Sequence, residues 1–267
     1  MTYETLTYAQ EDGVGILTLN RPKRRNAIDD EMSRELGEIM PRLRDADDLG
    51  ALILTGAGGG FCSGGEQSGK QLSPTQYRRR IQDFHLWLNE LMNLEKPVIA
   101  AVDGPAYGAG FSLALASDFV LATPRARFCM VFARIGFVPD LSAMYLLPRI
   151  VGLQKAKDIA FTARAIDADE AKALRIVREI HAPDRLMDAA KDLARRLADG
   201  PTTALGLVKN GLVQSYHSDY RTMVEMEAYA QSVATSAPYH ADALQRFLDK
   251  KPLAYDWDAT AGTSGKN

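Results

Sequence analysis

Two glycine-rich loops, each directly after a short apolar segment, constrain the fold of this chain more than any other feature. The first, Phe61-Cys62-Ser63-Gly64-Gly65, follows a predicted strand at 51–55. The second, Gly104-Pro105-Ala106-Tyr107-Gly108-Ala109-Gly110, follows a predicted strand at 98–102 and runs into a helix-like stretch at 111–117. Small residues let the backbone approach a ligand, and free N–H groups at a helix start face it. Because two convergent N–H groups can hold negative charge on oxygen, the loops predict an oxyanion hole.

The residues before the first loop also resemble a dinucleotide-binding fingerprint. Gly56-Ala57-Gly58-Gly59-Gly60-Phe61 follows a strand, but Phe61 stands where the third glycine belongs. The stretch after it is rich in glycine and serine and is a poor helix start, and no acidic residue follows a second strand at the usual distance. The dinucleotide interpretation is therefore disfavoured.

Strands and helices alternate over the first half of the chain. A hairpin is predicted at 6–9 and 14–19, with strands at 51–55, 98–102 and 119–122. Helices are predicted at 29–43, capped by Asp29 or Asp30, at 74–94 and at 110–116. The long helix at 74–94 carries its apolar positions at Leu86, Leu88, Leu91 and Leu94. This alternation favours an α/β fold.

From about residue 142 the sequence is mostly helical. Helices are predicted at 153–163, 168–174, 183–198, 201–216, 219–234 and 238–249, with one short strand at 176–180. The break at Asp199-Gly200-Pro201 is the best candidate boundary. We therefore expect a core at 1–199, a helical region at 200–258 and a disordered tail at 259–267.

Composition excludes several classes of protein. A formal net charge of −2 suggests neither a nucleic-acid nor an anionic-membrane partner, so the Arg78-Arg79-Arg80 run is interpreted as a solvated helix face. Two cysteines provide no disulfide framework, and Cys62 is interpreted as a packing residue. The chain has no signal-peptide core, no membrane-spanning run and no metal-binding motif, so we expect a cytoplasmic, metal-free protein.

Many short motifs now match one family in the right order. They include Thr18-Leu19-Asn20-Arg21-Pro22, the first loop, Lys96-Pro97-Val98-Ile99-Ala100-Ala101-Val102-Asp103-Gly104, Gly108-Ala109-Gly110, Ala126-Arg127-Phe128 and Leu147-Pro148-Arg149-Ile150-Val151-Gly152. Over about residues 3–255 the chain resembles the crotonase (enoyl-CoA hydratase/isomerase) superfamily. The resemblance implies a spiral of ββα units, a helical C-terminal region that forms trimers or dimers of trimers, and a coenzyme A thioester as substrate, with no permanently bound cofactor. The N–H groups of Gly65 and Ala109 would then hold the thioester oxygen.

The acid and base of the reaction depart from the hydratase pattern. Where similar hydratases carry two glutamates, this chain has Ser112 and Phe132. Neither side chain can deprotonate water or protonate carbon, so hydration is disfavoured. The remaining carboxylate is Asp140, which in similar isomerases is the catalytic acid, although an aspartate before a helix is also a favoured N-cap. Its apolar surroundings would raise its pKa toward that of a general base.

We therefore expect a double-bond shift in an enoyl-CoA or ring-acyl-CoA, since the stretch 128–140 looks most like the ring-isomerising acyl-CoA isomerases of phenylacetate breakdown. An aryl-CoA dehalogenase is the alternative, with Asp140 as nucleophile and His85 at the place of a family histidine. His85 could equally be a packing or surface residue, and Glu66 a secondary acid or a solvated loop residue. A non-catalytic CoA-ester binder is a third possibility.

Contacts to coenzyme A follow from the resemblance. Lys23 and Arg24, with Arg25, could pair with its phosphates, although a solvated charge run fits them too. Ala27, Cys62 and Gly64 lie in motifs that contact coenzyme A in related enzymes. Phe247 and Lys250, in the last helix, resemble residues that reach the adenine and phosphates from a neighbouring subunit.

Overall fold

The computed structural model describes residues 2–67, 69 and 71–258. The strands are β1 (Leu6–Glu11), β2 (Val14–Leu19), β3 (Ala51–Gly56), β4 (Val98–Val102), β5 (Pro105–Tyr107), β6 (Phe119–Ala122), β7 (Arg127–Cys129), β8 (Ala165–Asp167) and β9 (Glu179–Ile180). The helices are α1 (Asp30–Asp45), α2 (Pro74–Met92), α3 (Ala109–Leu115), α4 (Ala143–Val151), α5 (Leu153–Thr162), α6 (Ala168–Ala173), α7 (Leu186–Ala198), α8 (Thr202–Gln214), α9 (Tyr220–Ser236) and α10 (Pro238–Leu248).

Successive turns of the chain feed two sheets side by side. The larger sheet has the order β1-β2-β3-β4-β6-β9 and is parallel except for the β1–β2 hairpin, and the smaller has the order β5-β7-β8. After β3 the chain bridges to the smaller sheet at Cys62, and β4 leads to β5 and β6 to β7 in the same way. Because each turn places one strand in each sheet and then forms a helix, the predicted α/β spiral of ββα units is confirmed.

Both faces of the larger sheet are buried at its centre. Alternate side chains of a strand point to opposite faces, and the central strands β3 and β4 bury both sets. Leu52 and Leu54 of β3 pack in the main core beneath α1 and α2. Ile53, between them, packs in a second core against α7, whose inward positions include Leu193. The continuous apolar runs of these strands therefore reflect burial on two sides.

Local signals fix the ends of the two long helices. Asp29 caps α1 by accepting a hydrogen bond from the Met32 N–H at 2.8 Å. Ser73 and Gln76 form a capping box at the start of α2. Lys96 closes the other end of α1, where its Nζ donates to the carbonyl oxygens of Leu43, Arg44 and Ala46 at 2.7–2.8 Å.

Three details differ from the sequence-based predictions. The short strands β5, β7 and β8 were not predicted, because three residues are too few to show a period. The strand predicted at 176–180 is reduced to Glu179–Ile180. Leu86 is 68% exposed and does not join the buried face of α2, because Trp87 and Leu88 hold that face instead.

The C-terminal helices are largely uncovered in a single chain. No residue of α9 or α10 is buried, and large apolar side chains such as Tyr229, Val233 and Phe247 are at least half exposed. The division at residue 199/200 stays a prediction, and the tail at 259–267 lies outside the described residues. Among those residues, no helix combines the length and apolar character that crossing a membrane requires.

Candidate active site

The two glycine-rich loops meet backbone to backbone. The Cys62 N–H donates to the Pro105 carbonyl at 3.0 Å, and the Tyr107 N–H donates to the Cys62 carbonyl at 2.9 Å. Gly64 has φ +107°, and a Cβ there would lie 2.9 Å from the Tyr107 oxygen. At Gly110, a Cβ would collide with the Cys62 carbonyl oxygen. Larger residues at either glycine would therefore push the loops apart.

The main-chain amides of Gly65 and Ala109 both lie on the wall of one cavity. Ala109 is the first residue of α3, so its N–H has no partner within the helix. Within the described part of the chain, neither N–H donates to a protein acceptor. A Cβ built on Gly64 would stand 3.6 Å from the Ala109 nitrogen, so the two loops bring these donors into one neighbourhood. That both amides hold one oxygen stays a prediction.

The cavity has a volume of about 800 Å³ and mainly apolar walls. One wall is a single face of α2, where Tyr77, Arg80, Ile81, Phe84 and His85 recur at helical spacing. The opposite wall is the segment from Val131 to Tyr145. The ring of Tyr77 meets the ring of Phe137 edge to face at 5.8 Å, which joins the two walls.

Asp140 is the carboxylate of this cavity. It is half-buried, and its Oδ1 is buried without a hydrogen-bond partner among the residues that the structure describes. Burial raises the pKa of Asp140 from 3.8 to about 6, while the charges of His85 and, more weakly, Arg80 act in the opposite direction. A carboxylate with this pKa is largely ionised at neutral pH and is still basic enough to take a proton from carbon.

The alternative role of Asp140 as a helix cap is not supported by its contacts. The residue at the N-cap of α4 is Ser142, with φ +62°, and no side chain caps the helix. Asp140 contributes only its main-chain oxygen, which accepts from the Ala143 N–H at 3.0 Å. Its carboxylate is therefore not used by the helix.

His85 faces the same cavity from α2. Its Nδ1 lies 2.7 Å from the Ile81 carbonyl oxygen. Because a carbonyl oxygen only accepts, Nδ1 carries the proton in this contact, and Nε2 is left as the second ring nitrogen. The structure thus brings together four of the predicted site residues, Gly65, Ala109, Asp140 and His85, around one space.

Two predicted secondary residues lie elsewhere. Ser112 is fully buried within α3, where its hydroxyl donates to the Gly108 carbonyl at 3.3 Å, and it does not border the cavity. Glu66 points to the other side of its loop and pairs with Arg21 at 3.0 Å and with Arg24 at 3.8 Å. These cations hold the carboxylate away from the cavity, and a role for Glu66 as a secondary acid stays a prediction that these contacts do not favour. Phe132, by contrast, does line the cavity.

The residues predicted to contact coenzyme A include exposed, buried and cavity-lining positions. Lys23 and Arg24 are exposed, Ala27 is buried with its carbonyl accepting from Arg21 at 2.7 Å, and Gly64 borders the cavity. Burial raises the pKa of Cys62 to about 12, which fits a packing residue and excludes a thiolate nucleophile at neutral pH. Phe247 and Lys250 are exposed and do not border the cavity of their own chain.

Arg80 is the charged cavity residue that sequence reasoning missed. It was grouped with Arg78 and Arg79 as a solvated face, yet its side chain is only 22% exposed. The signal was present in the spacing, because Arg80 lies three residues after Tyr77 and four before Phe84, on the buried side of α2.

Comparisons with known proteins find relatives over most of the chain. The family model for enoyl-CoA hydratase/isomerase matches residues 9–258. The 1,2-epoxyphenylacetyl-CoA isomerase of Escherichia coli (strain K12) is 35% identical over 246 residues, which cover 90% of this chain and 94% of that protein. The 4-chlorobenzoyl coenzyme A dehalogenase-1 of an Arthrobacter species is 32% identical and covers 94% of each chain. A solved enoyl-CoA hydratase/isomerase from Cupriavidus metallidurans CH34 superposes with a TM-score of 0.89 at 40% identity, over 96% of this chain and 97% of that one. Among the described residues, no cluster of side chains could hold a metal ion.

Proposed function

This chain belongs to the enoyl-CoA hydratase/isomerase family, and we propose that, within that family of acyl-CoA enzymes, it shifts a carbon–carbon double bond along the acyl group. The amides of Gly65 and Ala109 hold the thioester oxygen, and Asp140 is the acid and base. The observation that carries the proposal is a buried, unpartnered carboxylate oxygen on the same cavity as two amides without acceptors.

The reaction needs only one proton carrier. The Asp140 carboxylate removes a proton from one carbon, the electron pair moves into the conjugated system, and negative charge collects on the thioester oxygen. The two N–H donors favour this enolate over the neutral substrate, and losing one such donor typically costs a hundredfold to a thousandfold in rate, roughly. The protonated Asp140 then returns the proton two carbons away, so that atoms and charge balance.

The wall residues support isomerisation over hydration. The two positions that carry glutamate in similar hydratases hold Ser112 and Phe132, and neither can activate a water molecule. Phe132 and the other apolar side chains of the wall offer a water molecule few hydrogen-bond partners beside the reacting carbons. Return of the proton by Asp140 therefore competes little with addition of water to the acyl group.

The test is a turnover screen with saturated, 2-enoyl, 3-enoyl and aryl CoA thioesters in deuterated water, read by mass spectrometry. For at least one enoyl thioester we expect a chromatographically distinct isomer with no added water, which carries deuterium only where Asp140 exchanges its proton with solvent before returning it. A product heavier by one water would contradict isomerisation in favour of hydration. Tight binding without turnover across the whole panel would instead support a non-catalytic CoA-ester binder.

A second candidate is aryl-CoA dehalogenation. It is favoured by the placement of His85 beside Asp140 and by the similarity to 4-chlorobenzoyl coenzyme A dehalogenase-1. Asp140 would attack the ring carbon and expel halide, and water activated by His85 would then cleave the resulting ester. Incubation with 4-halobenzoyl-CoA and a halide electrode separates the candidates, because isomerisation releases no halide.

We also propose a trimer or a dimer of trimers. The exposed apolar side chains of α8, α9 and α10 support this, since single chains rarely leave such faces in water. Assembly would let Phe247 and Lys250 of one copy reach the coenzyme A bound by the next, beside Lys23 and Arg24 of the binding copy. Light scattering on the purified protein, and on a Phe247→Ser variant, tests the assembly.

A further inference from the structure

Arg80 places a cation on an otherwise apolar wall of the acyl cavity. Its guanidinium lies over the Phe84 ring at 5.1 Å, and its charge is felt by Asp140. Arg80 lies between this cavity and the surface groove between α1 and α2 and borders both, whereas the neighbouring Arg79 borders the groove alone. Of the three consecutive arginines, only Arg80 borders the cavity among the described residues.

Most of the hydrogen-bonding capacity of Arg80 is unused. Its Nε donates to Asp30 at 3.0 Å, but Asp30 is 86% exposed, so solvent screens that pair. Within the described residues, the two terminal amino groups of the guanidinium have no acceptor. A cation that loses water at an apolar wall normally gains a hydrogen-bonded anionic partner, and among the described residues the one that hydrogen-bonds to Arg80 is the solvated Asp30.

We propose that Arg80 is a specificity-determining residue that binds a terminal carboxylate on the acyl group, so that the enzyme prefers thioesters of dicarboxylic acids. The planar guanidinium can bind a carboxylate through two parallel hydrogen bonds, which a methyl terminus cannot form. The terminus would meet Arg80 while the thioester oxygen meets the loop amides, so the preference must peak at one acyl length. This inference rests on the proposed function, because it takes the cavity as the acyl site.

Binding of saturated thioesters tests the inference without any chemistry. Matched pairs are butyryl-CoA and succinyl-CoA, hexanoyl-CoA and adipoyl-CoA, and octanoyl-CoA and suberoyl-CoA, titrated by calorimetry into the assembled protein. At one length we expect the carboxylate-ended member to bind about tenfold more tightly or more. Arg80→Gln should abolish this preference, whereas the matched control Arg79→Gln, which removes the same charge from the next residue, should keep it.

The outcomes separate the two proposals. Equal binding of both members at every length, or a preference that survives Arg80→Gln, overturns the role of Arg80 and leaves the proposed function standing. Failure of all thioesters to bind overturns the acyl-CoA site itself. If Arg80→Gln does not fold by circular dichroism, Arg80→Lys decides, because lysine keeps the charge but cannot form the two parallel hydrogen bonds, so the preference must fall, and an unchanged preference overturns the inference.

Discussion

Replacing Asp140 with asparagine should stabilise the protein while it removes activity. Burial raises the pKa of Asp140 to about 6, whereas the unfolded chain has the ordinary value of 3.8. The folded state therefore binds more protons between these values, and stability falls as pH rises from about 4 to about 6 and stays lowered above that. A difference of two pKa units corresponds to about 3 kcal/mol for the ionised form.

Asparagine cannot ionise, so the variant avoids the unfavourable free energy of burying a charged carboxylate. The asparagine amide would lie where Oδ1 of Asp140 lacks a hydrogen-bond partner. Burying this amide unpaired offsets part of the gain in stability. We expect the free energy of unfolding at about pH 8 to rise by about 1–3 kcal/mol, and the gain to shrink to about half at about pH 5. Turnover should fall about a hundredfold to ten-thousandfold, because the proton carrier is lost.

Urea unfolding at both pH values, with turnover on the best substrate of the screen, measures both effects. Asp83→Asn is the matched control, since Asp83 is exposed on α2 and lies outside the cavity, and it should change neither stability nor rate appreciably. A less stable Asp140→Asn variant at about pH 8 would refute the burial argument. Turnover near that of the wild type would remove Asp140 from the mechanism.

Three further substitutions or treatments test the scaffold around the site. Gly110→Ala should lower turnover and stability, because its Cβ collides with the Cys62 carbonyl, whereas Gly37→Ala, with open space around it, should be neutral or stabilising by thermal unfolding. Lys96→Met should cost about 1–2 kcal/mol in urea unfolding, because three carbonyls at the end of α1 lose their donor, and an unchanged midpoint would contradict this. Cys62, whose pKa is raised to about 12, should resist iodoacetamide at about pH 8 in the native protein and react after unfolding, as peptide mass spectrometry would show.

The sequence predicted the long elements because their periods and caps are local. Asp29 caps α1 as predicted, and the capping box at Ser73, which the structure adds, is also a local pattern that the sequence contains. The strands β5, β7 and β8 escaped prediction because a three-residue strand is defined by the chain that pairs with it. Leu86 shows the same limit, since the helix rotates to bury Trp87, whose Nε1 donates to Ser33 at 3.0 Å.

The parts of the candidate site that the main chain forms could be predicted from the sequence. The parts that depend on contacts between distant side chains were harder to predict. Gly64 and Gly110 belong to the loops that were predicted to approach a ligand, and the structure shows that these glycines also let the two loops approach each other. Glu66 was an open choice in the sequence, because nothing local shows that Arg21 reaches its carboxylate from a different segment. The sequence alone did not distinguish Arg80 from its two basic neighbours. Only the placement of α2 against the cavity shows that Arg80 borders it and that they do not.

The junction of the two loops is held by main-chain atoms, while the cavity walls are made of side chains from α2 and from residues 131–145. Exchanging a wall residue therefore leaves the amides of Gly65 and Ala109 where they are. A lineage built on this plan can substitute one wall residue at a time and keep the two amides that we propose hold the thioester oxygen. Because the walls and the loop junction are separate, new reactions can evolve through wall substitutions while the junction stays the same. The relatives of this chain include proteins as different as an isomerase and a dehalogenase.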